Sequence, residues 1–562
     1  MDFVLALHSH LPWVLNHGRW PHGSDWLCEA ALDTYLPLIE QLRALETERV
    51  AAPLTIGVTP VLANQLVSPT FVGEMEAFFA QRLMACDEAG MSLAATGEEH
   101  LVPLVEFWRG RLTRLRRLFH DLGGDIVSAF RSLEESGRIE TITSAATHGF
   151  LPLLARDESI RLQLAVGRAE HRRLFGRLPQ GIWVPECAYR PRGAWQPWSS
   201  APRSGVRRGI EEHLGDAGFR FFFVDSHLAS AGRPLGIYGD PATRAVVQRS
   251  ANRTDGLGHR SPYRSYEVAP WRSDGIAALV RDPRSSMQVW SRFHGYPGDG
   301  AYLEFHKMRW PGGLKLWQVT GGSVDLGDKG PYDPDEARAR AQEHAEHFAG
   351  LLAGISTSER QRRGGVIVAP FDTELFGHWW FEGPEWLGGV YRSIARGERG
   401  VRPVTASRHL AEHPARQPIA MPSGSWGANG DFSMWLGETT VWTWERVWAL
   451  EETFWDAVPV AIERPAARPV LAQAAREMLL AQASDWQFII STGAAADYAE
   501  RRLRQHCDDA EALLAALLPG AEARLAEAQG TAEELHRRDD LFPDILSAVA
   551  VASSGSRALA FG

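Results

Sequence analysis

Residues 181–186 read Gly-Ile-Trp-Val-Pro-Glu, a short apolar run that ends on a proline and then on a carboxylate. Short apolar runs between turn signals are typical of strands that are buried on both faces of a parallel sheet. Polar, chemically capable side chains follow nearly all such runs in this chain. The runs are Phe3–Leu7, Leu54–Val58, Ile139–Thr143, Gly181–Val184, Phe219–Val224, Ile276–Val280 and Val366–Ala369.

The repetition of this pattern favours a β/α barrel over an open, doubly wound sheet. Segments with helical periodicity separate the seven apolar runs. In a β/α barrel, catalytic groups lie on loops at the carboxyl ends of the strands, which is where the polar side chains fall. The sequence therefore predicts an α/β protein whose active site lies at one end of a barrel.

The chain divides by composition into a barrel, a helical domain and a tail. Residues 1–404 carry the strand pattern and are predicted to form the catalytic barrel. We expect an inserted subdomain at about 190–214, rich in Pro, Arg, Gly and Trp, and a long loop over the barrel mouth at about 229–275. Because the strand signal fades near residue 405, residues 405–520 are predicted to be a helical domain and residues 521–562 a C-terminal tail.

Composition excludes several classes of protein. The 562 residues are 44% hydrophobic, and their net charge of −10 argues against a nucleic-acid binder, which needs a basic face. The four cysteines show no CxxC spacing, so neither a structural zinc site nor a disulfide framework is predicted. Because the first residues lack signal-peptide features and no stretch is long enough to span a membrane, we expect a cytoplasmic protein without a membrane partner.

Two carboxylates that directly follow apolar runs are candidates for catalysis. Glu186 follows Val-Pro, and Asp372 stands in Val-Ala-Pro-Phe-Asp-Thr-Glu. Glycoside hydrolysis needs two carboxyl groups flanking the scissile bond, one of them kept protonated by an environment that raises its pKa. Glu374 and Asp225 are competitors, with supporting contacts and strand-end capping as their alternative roles.

Histidines at the end of the first run allow three interpretations. His8 and His10 point to one side if the strand continues that far. They could hold sugar hydroxyls while neutral, or they could pack at the barrel rim. Together with His148 and Asp225 they could also bind zinc, as such side chains do in barrel hydrolases.

Tryptophan is abundant, with 21 residues against 10 tyrosines. Trp426 and Trp435 lie in a Gly-rich loop, where flat rings could stack on sugar faces, although burial in the core would also explain them. Asp485 stands either at a helix start, with Ser484 or Asp485 as the cap, or against the substrate.

Five motifs, in order along the chain, resemble glycoside hydrolase family 57 and, within it, the α-glucan branching enzymes. They are His-Ser-His-Leu-Pro at 8–12, Gly-Val-Thr-Pro at 57–60, Trp-Val-Pro-Glu-Cys-Ala-Tyr at 183–189, Ala-Pro-Phe-Asp-Thr-Glu-Leu-Phe-Gly-His-Trp at 369–379, and the loop of Trp426 and Trp435. The resemblance implies a (β/α)7 barrel with an inserted helical subdomain and a C-terminal all-helical domain. It also implies a retaining double displacement that uses no metal ion and no cofactor.

The same resemblance implies roles for single residues. Glu186 would be the nucleophile and Asp372 the general acid and base, while His10 and His148 would hold the donor sugar. Tyr238 would lie near the tip of the long loop and help to exclude water in favour of a glucan acceptor. Further substrate-binding positions would be Arg281, Gly298, Trp426, Trp435 and Asp485.

The activity that the resemblance implies is 1,4-α-glucan branching. The enzyme would cleave an α-1,4 linkage in an amylose- or glycogen-like glucan and transfer the chain to a 6-hydroxyl, and we expect it to act as a monomer. A family 57 α-amylase or 4-α-glucanotransferase is the first alternative, since the outcome depends on whether water or a glucan attacks the intermediate. A metal-dependent barrel hydrolase and a non-enzymatic glucan-binding protein are further alternatives.

Overall fold

The computed structural model describes residues 1–202, 204–229, 261–268, 275–291, 295–359, 364–397, 400–518 and 520–555. Tyr238 and most of the predicted loop at 229–275 lie outside these residues. The described part includes all the strands that the sequence predicts for the barrel.

Seven parallel strands form the barrel, as predicted, within a ten-stranded sheet in which Ser265–Val268 pairs antiparallel with the sixth of them. They are β1 Asp2–Ser9, β2 Leu54–Val58, β3 Ile139–Ser144, β4 Gly181–Trp183, β5 Phe221–Val224, β6 Ile276–Val280 and β7 Val366–Asp372. Their order is β7-β1-β2-β3-β4-β5-β6, and all neighbours in this order are parallel. A bridge between Arg281 and Val368 joins the end of β6 to β7, so the sheet curls round into a barrel.

Helices cover the outside of this sheet. Those of the barrel region are α1 Ser24–Ala30, α2 Leu36–Thr47, α3 Pro60–Leu66, α4 Pro69–Thr96, α5 Val102–Asp121, α6 Ile126–Glu135, α7 Asp157–Phe175, α8 Ile210–Asp216, α9 Pro283–Trp290, α10 Pro334–Ser358, α11 Gly383–Arg396 and α12 Ala406–Glu412. A π-helical turn, Ala31–Tyr35, joins α1 to α2. Such turns are frequent at functional sites.

The segment predicted as an insertion, 190–214, differs from the helical subdomain that was expected. Its strands Gly193–Trp195 and Gly205–Arg207 form an antiparallel hairpin that leads into α8. Its proline and glycine content disfavours helix, which is the physical reason for the difference. The long helical excursion lies between β2 and β3 instead, where α4 and α5 have 28 and 20 residues and pack against each other.

The C-terminal region is helical, and it extends beyond the predicted boundary at residue 520. Its helices are α13 Val441–Ala461, α14 Arg468–Ala481, α15 Asp485–Thr492, α16 Ala496–Ala515, α17 Leu525–Arg538 and α18 Ile545–Ser554. Helix α18 packs against α7 of the barrel and against α14, so the predicted tail is part of the folded region. Its Ala-rich composition favours helix, and Ile545 and Val549 give it an apolar face. Among the described residues, no helix is long and apolar enough to cross a membrane.

Candidate active site

Glu186 lies in the turn Pro185–Cys187, directly after β4. Its backbone is left-handed, with φ 59°, as is that of Cys187. Such a conformation costs non-glycine residues of order 1–3 kcal/mol and clusters at active sites. The Trp426 indole Nε1 donates to Glu186 Oε2 at 2.8 Å, and the Ser484 hydroxyl donates to Oε1 at 3.3 Å. Both oxygens of a side chain that is 14% exposed are therefore held in place.

Asp372 is the last residue of β7 and is paired in register with His8 of β1. Burial, followed by the negative charges of Glu374 and Glu186, raises the pKa of Asp372 well above its usual range, against the opposing charge of Arg281. Burial also raises the pKa of Glu186 to about 7, although the hydrogen bond from Trp426 opposes this rise. The two carboxyl groups thus differ, with Asp372 suited to carry a proton and Glu186 to ionise.

Glu374, the nearest competitor of Asp372, is held by protein donors. Its Oε1 accepts from the Tyr35 hydroxyl at 2.5 Å and from the His10 backbone N–H at 3.1 Å. Tyr35 ends the π-helical turn, and no local sequence signal pointed to it. These contacts support the interpretation that Glu374 organises the site beside Asp372.

Asp225, the other competitor, is fully buried and has structural partners. Its Oδ1 accepts from the Ser226 backbone N–H at 2.6 Å, and its Oδ2 lies 3.4 Å from Arg281 Nη1. The Arg281 guanidinium lies over the edge-to-face pair of Trp290 and Trp426, 5.8 Å and 5.7 Å from their ring centres. Arg281 therefore supports the tryptophan that donates to Glu186.

His10 and His148 are bonded to protein groups at both ring nitrogens. His10 Nδ1 lies 3.1 Å from Thr59 Oγ1, and its Nε2 lies 2.9 Å from Asp485 Oδ2. His148 Nε2 lies 2.9 Å from His8 Nε2, and its Nδ1 lies 2.9 Å from the Ser484 hydroxyl oxygen.

The expectation that His148 and His10 hold the donor sugar directly stays a prediction. A ring nitrogen of either residue would have to give up a protein partner before it could bond a sugar hydroxyl. Burial, with the charge of His10 as a further contribution, lowers the pKa of both His8 and His148 well below the usual range, so both are neutral.

The zinc set considered from the sequence is not brought together. Asp225 faces Arg281 instead, and the potential ligands that do come together in the site are His10, His148 and Asp485, with atoms within 4.8 Å of one another. The His10 and His148 rings are stacked, with centroids 4.0 Å apart and planes 20° apart. Imidazole lone pairs lie in the ring plane, so those of stacked rings do not converge on one tetrahedral ion. The geometry fits hydrogen bonding better than metal ligation.

Trp435 was expected to contact substrate, and its burial contradicts this. Its side chain is 0% exposed and packs against Phe150 and Phe488, at ring distances of 4.7 and 6.3 Å. Gly298 is exposed at the end of the turn Tyr296–Gly298, and its backbone N–H donates to Gly295. The described contacts therefore connect neither residue with the two carboxylates.

The residues around Glu186 come from two regions of the chain. His8, His148, Glu186 and Asp372 lie at the carboxyl ends of barrel strands, whereas Ser484 and Asp485 lie at the start of helix α15. The sequence suggested Ser484 only as a helix cap, yet its side chain makes no capping bond and contacts Glu186 and His148 instead. The candidate site therefore lies between the barrel and the C-terminal helices.

Comparisons with known proteins match both regions. The family model described as "Glycosyl hydrolase family 57" matches residues 4–422, and the model described as "1,4-alpha-glucan branching enzyme, C-terminal" matches residues 450–549. A 1,4-alpha-glucan branching enzyme of Thermococcus kodakarensis is 39% identical over 551 residues, which cover 97% of this chain and 77% of that protein.

Solved structures agree with these matches. The branching enzyme of Pyrococcus horikoshii gives a TM-score of 0.87 at 37% identity, over 98% of this chain and 96% of that one. An α-amylase of Thermotoga maritima gives a TM-score of 0.77 at 27% identity, over 98% of this chain and 99% of that one.

Proposed function

We propose that this chain, which belongs to glycosyl hydrolase family 57, is a 1,4-α-glucan branching enzyme with Glu186 as nucleophile and Asp372 as general acid and base. The observation that carries the proposal is the unlike pair of carboxyl groups at the barrel end. Glu186 is fixed at both oxygens, and Asp372 lies in surroundings that favour its protonated form. The second family match, over the C-terminal helices, favours branching over simple hydrolysis.

In the first half of the reaction, Asp372 donates its proton to the glycosidic oxygen as the α-1,4 bond breaks. A carboxylate oxygen of Glu186 bonds to the anomeric carbon and forms a covalent glycosyl-enzyme. Because the negative charge of Glu186 contributes to the raised pKa of Asp372, formation of the ester lowers that pKa, so Asp372 stays ionised and can accept a proton in the next step.

In the second half, Asp372 takes the proton of a 6-hydroxyl on another glucan. The 6-oxygen bonds to the anomeric carbon, the bond to Glu186 breaks, and an α-1,6 branch results. Two inversions give net retention, for which we expect the carboxyl groups to lie about 5–5.5 Å apart in the substrate complex.

The structural environment gives the other predicted residues supporting roles in this proposal. Trp426 and Arg281 fix one side of Glu186, while Asp485 and His10 form one polar wall beside it. The substrate is a neutral amylose- or glycogen-like polymer, so the proposal needs no cofactor. We further infer that the enzyme is a cytoplasmic monomer, which gel filtration with light scattering would test for the oligomeric state.

Incubation of the purified protein with amylose tests the function directly. Formation of α-1,6 linkages, measured by proton NMR and by debranching, with few new reducing ends would support branching. Reducing ends without branches would overturn it in favour of an amylase. Disproportionation into α-1,4 chains of altered length would favour a 4-α-glucanotransferase. The Glu186→Gln variant serves as the control, since it should fold normally and give neither product.

A further inference from the structure

A continuous line of polar groups leads from the barrel interior to Glu186. His8 is 2% exposed and stacks on Trp183, with ring centroids 4.7 Å apart and planes 4° apart. Its Nε2 lies 2.9 Å from His148 Nε2, and His148 Nδ1 lies 2.9 Å from the Ser484 hydroxyl oxygen. The Ser484 hydroxyl reaches Glu186 Oε1 at 3.3 Å.

The directions of these hydrogen bonds follow from counting protons. The Ser484 hydroxyl has a single hydrogen, which it donates to Glu186, so it must accept from His148 Nδ1–H. His148 is neutral because of its burial, so its Nε2 has no proton and accepts from His8 Nε2–H. His8 in turn keeps a bare lone pair on Nδ1.

An independent observation agrees with this assignment. His8 Nδ1 is buried and has no hydrogen-bond partner among the described residues. An unpaired buried N–H is rare and costly, whereas an acceptor without a partner is less so. The proton of His8 therefore belongs on Nε2, where it has a partner.

On this basis we propose that His8, His148 and Ser484 form a one-directional hydrogen-bond chain whose donors all point toward the nucleophilic carboxylate Glu186. His8 and Ser484 are positioning residues, which act through the carboxylate and do not contact the substrate. The inference rests on the proposed function and deepens it. It assigns to His148 the task of orienting Ser484, in place of direct sugar binding.

The chain opposes protonation of Glu186 at Oε1. A proton there would make Ser484 accept from Glu186, so the Ser484 hydrogen would either lose this partner or be donated to His148 Nδ1; the second case reverses the later donors and places the His8 proton on the unpartnered Nδ1. Chains of hydrogen bonds also polarise one another, so an anionic Glu186 strengthens all three bonds. Because His8 Nδ1 has no partner for a proton, the hydrogen-bond chain favours the ionised form of Glu186.

Other groups also act on the ionisation of Glu186 and must be kept constant in any test. These groups are Trp426, His10, Asp485, Asp372 and the nearby His148 ring. Variants are therefore confined to His8 and Ser484, which leave all of them in place.

The first test is neutron diffraction from a deuterium-exchanged crystal of the full chain at about pH 8, where Glu186 is ionised. We expect deuterium on Nε2 of His8, on Nδ1 of His148, and on the Ser484 hydroxyl pointing at Glu186. Deuterium on His8 Nδ1 or on His148 Nε2 would overturn the proposal. This result does not depend on which reaction the enzyme catalyses.

The second test is the pH dependence of kcat/KM on an aryl α-maltooligoside. Because a donor to Glu186 is lost, Ser484→Ala should move the acid limb to higher pH by about one unit. Ser484→Thr should return it toward the wild-type position. His8→Phe keeps the ring stacked on Trp183 but removes the first donor, and it should give a smaller shift in the same direction.

The double variant His8→Phe/Ser484→Ala should shift no further than Ser484→Ala, since both cut one chain. An unmoved acid limb in a folded Ser484→Ala protein, judged by its melting temperature, would refute the positioning role. If that variant does not fold, His8→Phe decides by the same measurement. Failure of the proposed function is distinct, because it would appear in the wild type as an absence of branches or as activity retained by Glu186→Gln.

Discussion

The Trp426→Phe substitution probes how Glu186, the proposed nucleophile, is kept ionised. It keeps an aromatic ring in the loop but removes the indole N–H that donates to Glu186 Oε2 at 2.8 Å. A hydrogen bond to a charged group contributes about 1.5–3 kcal/mol, and the lower end applies here because the carboxylate retains its bond from Ser484. At 1.36 kcal/mol per pKa unit, the loss raises the pKa of Glu186 by about one unit.

The sign of the effect follows from the reaction. Glu186 must be ionised to attack, and its pKa is about 7, so roughly half of the wild-type enzyme is competent at pH 7. A rise of about one unit leaves less than a tenth competent, a fall of about fivefold to sixfold in kcat/KM. The loss should shrink as the pH rises. The assay is release of an aryl group from an α-maltooligoside between pH 5 and 9.

Trp435→Phe is the matched control, since this tryptophan lies in the same loop but is fully buried against Phe150 and Phe488. It should lower the melting temperature without moving the acid limb. If Trp426→Phe lowered kcat/KM equally at every pH, Trp426 would act only through the substrate, and the account of Glu186 given above would be wrong.

Three further predictions concern other parts of the molecule. Asp372→Asn removes the proposed proton donor, so the turnover rate on amylose should fall by roughly 10²–10⁴-fold. The rate on an aryl substrate with a good leaving group should fall far less. Equal falls in the two assays would contradict the role of Asp372 as general acid. Tyr238→Ala, predicted from the resemblance alone, should lower branching more than hydrolysis when both products are counted, and equal losses would remove its role in acceptor selection. Asp539→Asn should destabilise the fold by about 3 kcal/mol in chemical denaturation at pH 7, because Asp539 lies buried 2.6 Å from His17 Nε2 and 2.7 Å from Arg538 Nε. Burial alone would raise the pKa of Asp539, but the His17 hydrogen bond and nearby positive charges lower it overall. The stabilisation by Asp539 is therefore present above about pH 4. As the pH falls further, the free energies of unfolding of the wild type and the variant should converge.

The barrel could be predicted from sequence because its strands are buried along their length. Ile276–Val280 is a continuous apolar run and Leu54–Val58 is apolar except for Thr55, and the structure gives both strands these bounds. The position of Glu186 and Asp372 at strand ends was visible for the same reason, since a charged residue interrupts each run. The local sequence pattern was therefore sufficient to predict strands that are buried along their whole length.

Contacts between segments that are distant in sequence could not be predicted from local sequence patterns. Trp435 looked exposed in its Gly-rich loop, but Phe150 and Phe488, remote in sequence, enclose it. Ser484 is separated from Glu186 by 298 positions, and only the packing of α15 on the barrel brings them together. Tyr35 reaches Glu374 from a π-helical turn that no composition signal predicts.

The way the barrel closes determines how firmly the strand of Asp372 is held on each of its two sides. Between β7 and β1, seven positions pair in register, and the last of them sets Asp372 beside His8. Between β6 and β7, the described pairing is the single bridge at Arg281 and Val368, where the Asp282 amide donates to Val368 at 2.8 Å. Asp372 is thus anchored to the histidine-bearing strand over seven positions, whereas the other side of its strand is held by this bridge and by the Val366 amide, which donates to the Tyr263 carbonyl at 3.2 Å. We expect the Asp282 amide to exchange with solvent deuterium sooner than the amides of β1. Warming would then separate β6 from β7 before the whole fold is lost.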